Sequence, residues 1–174
     1  PGLVRNLDRA SANGGLSSGE VQYQTFPLGD SGGELSLVCD YPAPDNVSVL
    51  QDSCYLAHVA EGIDAEARNE YVCLSGQATG SVDLAAENSA FVHTIGLTAV
   101  DSQDMAFSGT AAVWSPRSNI SLYGNTAQVT MYKQLGIRIA LGTDWTASGS
   151  INIGRELACA REFNQNNLGG FLTD

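Results

Sequence analysis

The chain has 174 residues, 43% of them hydrophobic and 16% charged, which suits one globular domain with a real core rather than a disordered segment. With 8 Lys+Arg against 19 Asp+Glu and a formal net charge of −11, it offers no basic patch for nucleic acid or for an anionic membrane surface. No apolar run approaches the roughly 20 residues of a membrane-spanning helix, so neither nucleic acid nor membrane is expected as a partner.

In chain order, residues 21–26 predict a strand closed by Pro27 and Gly29. Residues 29–52, rich in Gly, Pro and Asp, give no helical pattern and read as a long functional loop. A second strand is expected at 53–59. Asp64 can cap a helix over Ala65–Leu74, whose Ala67, Tyr71 and Leu74 share one face. After a strand at 90–95, Thr98 and Asp101 have capping-box spacing and open a helix over 99–107, with Gly109 after its end. A strand at 110–114 follows. Thr126 precedes a helix over 127–135, Gly136 is placed to end it, and the fifth strand covers 136–141. A last helix is expected from 151 to about 163. Strand–helix alternation implies an α/β fold with a parallel sheet. Cys39, Cys54, Cys73 and Cys159 lack C-x-x-C spacing, which argues against a zinc–thiolate cluster. Free thiols are expected, with a Cys39–Cys54 disulfide as the alternative in an oxidising compartment.

A parallel βα array places its chemistry at the carboxyl ends of its strands. The chain has 2 histidines, His58 and His93, and both fall at or near such ends; Asp144 stands just past a third. Imidazoles and a carboxylate brought together from separate strands suit a divalent metal. Glu61, three residues after His58, is placed to move protons. The plainer readings are satisfied core histidines, a solvated Glu61 and an N-cap at Asp144. Trp114, Tyr123, Trp145 and the stretch Ser115 to Asn119 suggest an aromatic, polar pocket wall, for which structural aromatics are the alternative. Arg117 suits either an anionic substrate group or a loop carboxylate.

Four motifs occur in order: "HVAEG" from His58, "HTIGLT" from His93, "SPRSN" from Ser115 and "LGTDW" ending at Trp145. In that order they resemble the amidohydrolase superfamily, in its chlorohydrolase and aminohydrolase branch, over about residues 58–160. The resemblance implies a (β/α)8 TIM-type barrel whose fifth to eighth strands end at these motifs. It implies His58 as metal ligand, Glu61 as proton shuttle and His93 as the residue that polarises substrate or holds water. Asp144 is implied as the carboxylate that contacts the metal and accepts the water's proton. Trp114, Arg117, Ser118, Asn119 and Trp145 fall where substrate is met. The implied reaction is metal-assisted hydrolysis of a C–N bond, with C–Cl as a variant, in a small heterocycle. The implied cofactor is one divalent ion, zinc first and iron second; no Lys near Phe26 suggests a lysine-bridged pair.

The family's His-x-His of the first barrel strand does not occur in this sequence. Residues 1–174 are therefore expected to be one partial catalytic barrel domain, about strands 3 or 4 to 8. Residues 2–7 and 21–26 would supply the earliest strands, with the first two strands and the β-sandwich segments absent. A whole barrel takes ~250 residues, so a longer parent enzyme is expected. The piece alone is expected to be inactive and to hold a metal weakly or not at all. Its open sheet edges favour self-association. The competing expectation is a degenerate, non-catalytic barrel module serving binding or assembly. A cytoplasmic location is favoured, with periplasmic or secreted ones left open.

Overall fold

The computed structural model describes residues 21–51 and 54–173. Five short strands run parallel: β1 (Val21–Gln24), β2 (Cys54–Val59), β3 (Ser89–His93), β4 (Ala111–Trp114) and β5 (Ile139–Leu141). Each pairs with the next, in chain order. The register sets Val59 beside His93 and Trp114 beside Leu141, so the carboxyl ends of the strands lie together. Helices α1 (Ala65–Leu74), α2 (Ala99–Ser108), α3 (Pro116–Tyr123), α4 (Val129–Leu135) and α5 (Ile153–Asn167) complete the βα units. This is the α/β fold of parallel βα units expected from the sequence. Among the described residues, the outer edges of β1 and β5 carry no further strand. The strand expected at 2–7 and the first residue of the one expected at 53–59 lie outside the described residues.

Alternation within the strands explains which face is covered. Along β2, Tyr55, Ala57 and Val59 are buried, while Leu56 and His58 on the other face are half-buried. The buried set packs with Phe91, Ala112, Tyr71, Leu74, Met105 and Tyr132. Local signals start and stop the helices as chemistry requires. Asp64 accepts from the Ala67 N–H, Thr98 and Asp101 form a reciprocal capping box, and left-handed Gly109 and Gly136 close α2 and α4. Gly142, just past β5, is required by packing, since a Cβ there would lie 2.8 Å from Val113 Cγ1.

Three local expectations are corrected. The stretch 115–119, for which no helix was expected, opens one: Pro116 takes the first helical position of α3, where its missing N–H costs nothing, and left-handed Gly124 ends the helix. The helix expected over 127–135 starts after Gln128, and the Thr126 hydroxyl accepts the Trp114 indole N–H at 2.6 Å. The cysteines are not all free, nor is Cys39 paired with Cys54. Cys39 is bonded to Cys73 in α1, with Cα atoms 5.3 Å apart, while Cys54 is an exposed thiol and Cys159 a half-buried one.

Between β1 and β2 the chain makes only two short 3-10 turns, Asp30–Gly32 and Val47–Leu50, as expected for a segment without a helical pattern. It is nonetheless tied down. Besides the disulfide, Leu28 and Tyr41 are buried, and Tyr55 donates to Asp45 Oδ2 at 2.7 Å. Next to it, Glu70 of α1 is buried and accepts the Ala60 N–H at 2.6 Å. Burial, then the charge of Asp30, raises the Glu70 carboxyl well above its usual range.

Two outcomes are expected. Chain-entropy arithmetic for a cross-link spanning 34 residues gives about 3–4 kcal/mol. Cys73→Ser should therefore lower the melting temperature, whereas Cys54→Ser should leave it in place; equal melting with and without reductant would contradict this. A carboxyl with a raised folded-state pKa holds its proton more tightly folded than unfolded. Its contribution is complete below the unfolded value of about 4.3 and is lost as pH rises through the folded one. Denaturant titrations across that window should show stability falling with rising pH, and Glu70→Gln should flatten the fall. An unchanged slope in Glu70→Gln would remove Glu70 as its source.

Candidate metal centre

Four non-glycine residues among those described have positive φ: Ala60 at 55°, His93 at 72°, Thr94 at 50° and Asp144 at 55°. They stand at the ends of β2, β3 and β5. Backbone of this kind costs about 1–3 kcal/mol per residue and persists where surrounding contacts hold it. Those contacts are present. Ala60 is held by Glu70; Thr94 N–H reaches Val59 O at 3.0 Å, and Ile95 N–H reaches Ala60 O at 3.0 Å. Tyr132 donates to Thr94 O at 2.8 Å, its phenol raised to about 12 by burial.

These turns aim side chains at one point. A ligand atom of each of His58, His93 and Asp144 lies within 4.8 Å of the other two. The imidazole rings of His58 and His93 are 5.0 Å apart between centroids. His93 Nε2 sits 3.4 Å from Glu61 Oε2 and 4.0 Å from Asp144 Oδ2. Nε2 is buried and has no hydrogen-bond partner, although Nδ1 is engaged by Asn119 Oδ1 at 2.9 Å. Burial, then the neighbouring His93, lowers the His58 imidazole; Glu61, Asp144 and the Gln24 main chain oppose this. The net lowering favours the neutral imidazole, the form in which a histidine binds metal. Two imidazoles and one carboxylate form a donor set that could hold one divalent cation with a position left open. The buried, unpartnered Nε2 of His93 fits that use.

Glu61 lies at the edge of this group, about one-third exposed. Its other oxygen accepts the Tyr123 O–H at 3.2 Å, and burial followed by the Glu61 charge raises that phenol. Asp144 does not cap α5, whose N-cap is Asn152, accepting from Arg155 N at 3.0 Å.

The residues read as meeting substrate are spread more widely. Trp114, Ser118 and Asn119 are buried. Trp114 packs edge-on against Phe163, and the Ser118 hydroxyl returns to Ser115 O. Arg117 Nε donates to Ser150 Oγ at 2.8 Å, while its main-chain N–H meets Glu156. Trp145, beside Asp144, is 73% exposed. Sequence reasoning did not single out Glu70, and it read Thr126 only as the residue before a helix. Glu70 shares a helix face with Ala67 and Leu74 (three and four residues away), so a carboxyl at a core position was the available signal.

No family model matches the chain. Over 72 residues it is 38% identical to an aminodeoxyfutalosine deaminase of Deinococcus radiodurans, a stretch covering 41% of this chain and 17% of that protein. An adenosine deaminase structure from Xanthomonas campestris with bound zinc has a TM-score of 0.56 at 22% identity, covering 71% of this chain and 29% of that one. An amidohydrolase structure from Brucella melitensis has a TM-score of 0.58 at 18% identity, covering 90% and 33%. The chain thus spans about a third or less of each of these three proteins. In both its ordered motifs and its parallel sheet, the chain is similar to part of the barrel of amidohydrolase-superfamily proteins.

Proposed function

We propose that the chain is part of a metal-dependent hydrolase that cleaves a C–N bond, releasing ammonia from an amino-substituted heterocycle. The observation that carries this reading is the convergence of His58, His93 and Asp144 beneath Glu61, with His93 Nε2 buried and unpartnered. The deaminase names among the relatives support the reaction class. His58, His93 and Asp144 would hold the ion, zinc before iron because the donors are two imidazoles and one carboxylate. When bound, a divalent ion supplies Lewis acidity that brings the pKa of water down towards about 7. Asp144 takes the proton of the attacking water, and Glu61 delivers one to the departing nitrogen as the C–O bond forms and the C–N bond breaks. Tyr123 holds one Glu61 oxygen and leaves the other facing His93. Trp145 is the exposed residue placed to stack on a flat substrate, with Trp114, Ser118 and Asn119 acting from behind and Arg117 lining the wall.

A second reading is a non-catalytic barrel module kept for binding or assembly. Among the described residues no helix is long and apolar enough to cross a membrane. The Cys39–Cys73 bond supports an oxidising compartment over the cytosol favoured by the sequence.

Calorimetric titration with zinc separates the two readings. For the full-length parent the hydrolase reading expects one equivalent bound, weakened at least ~10-fold by His58→Ala and by Asp144→Asn. In the full-length parent, Glu61→Gln should abolish ammonia release from purine, pyrimidine or triazine amines without abolishing zinc binding. Zinc binding unchanged by both ligand substitutions would leave the assembly module standing.

A further inference from the structure

The side chains behind His93 form a polar line. His93 Nδ1 is 2.9 Å from Asn119 Oδ1. The Asn119 amide nitrogen donates to Thr126 Oγ1 at 3.3 Å. Thr126 Oγ1 also accepts the Trp114 indole N–H at 2.6 Å. An indole nitrogen only donates and a hydroxyl oxygen has two acceptor sites, so Thr126 can receive both. His93 and Asn119 are fully buried, so water does not compete for the bond between them.

We propose that Asn119, oriented by Thr126, is a positioning residue that fixes neutral His93 as its Nδ1–H tautomer. Nε2 is then the nitrogen with a free lone pair, facing the point shared with His58 and Asp144. The opposite tautomer is disfavoured by the same geometry. It would turn the Asn119 amide around, which the Thr126 hydroxyl can match by donating, and place a hydrogen on Nε2, whose nearest acceptor, Glu61 Oε2 at 3.4 Å, is not aligned for a hydrogen bond. A buried donor without a partner costs about 1–3 kcal/mol, while a bare lone pair there is open to a ligand. The bond made by one ring nitrogen thus selects the role of the other. Asn119 acts through His93 rather than on a substrate.

That Nε2 serves chemistry rests on the function proposed above; the tautomer itself does not. It is read on the metal-free chain by long-range proton–nitrogen correlation NMR at alkaline pH. The chain has 2 histidines, and His58→Gln assigns their ring signals. The wild type should show His93 with protonated Nδ1 and unprotonated Nε2. Thr126→Val and Asn119→Leu should move the ring nitrogens towards the opposite pattern, while Thr126→Ser and Asn119→Asp should keep the wild-type one. Protonated Nε2 in the wild type, or an unchanged pattern in Asn119→Leu, would overturn the inference. Should Asn119→Leu not fold, the wild-type and Thr126→Val spectra decide. Failure to bind zinc with the tautomer as expected would strike the proposed function alone.

Discussion

Three of the five strands end in backbone that L-residues avoid, and the polar groups above the sheet are placed by how those turns are held. Ala60, His93, Thr94 and Asp144 adopt left-handed conformations at about 1–3 kcal/mol each. No glycine relieves that cost. It is offset by bonds from neighbouring elements: a buried carboxyl of α1 on Ala60, main-chain bonds from the turn after β3 back to the end of β2, and the Tyr132 hydroxyl of α4 on Thr94.

Once the turns are fixed, a layered polar arrangement follows. His58, His93 and Asp144 face one another. Behind them stand Asn119 and Thr126, and at the side Tyr123 bonds to Glu61. Helix α3 contributes both Asn119 and Tyr123 and starts directly after β4, so a single helix sets His93 and Glu61 together. Its first turn is anchored from α5, where buried Glu156 accepts the Arg117 N–H at 3.0 Å. A carboxylate at that position also opposes the positive end of the α3 dipole.

Much of this was legible in the sequence where the signal is local. The helix Ala65–Leu74 and the box Thr98–Asp101 were readable because caps act over three or four residues. The five strands were readable from apolar runs, and His58, His93 and Asp144 from their places just past those runs. Helix α3 was hidden because Pro116, Ser118 and Asn119 are turn formers by composition, and only the Pro-first, Gly-last arrangement marks a helix there. The Cys39–Cys73 pairing and the bond between Asn119 and His93 join residues 34 and 26 positions apart. Such contacts are set by the sheet and helices, and no local pattern encodes them.

The central claim is that three strand ends converge on one cation. Diffraction from crystals grown with zinc, recorded on both sides of the zinc absorption edge, tests it directly. The account predicts one anomalous peak about 2 Å from His58, His93 and Asp144 donor atoms. A zinc peak held by other residues, with none at these three, would contradict it.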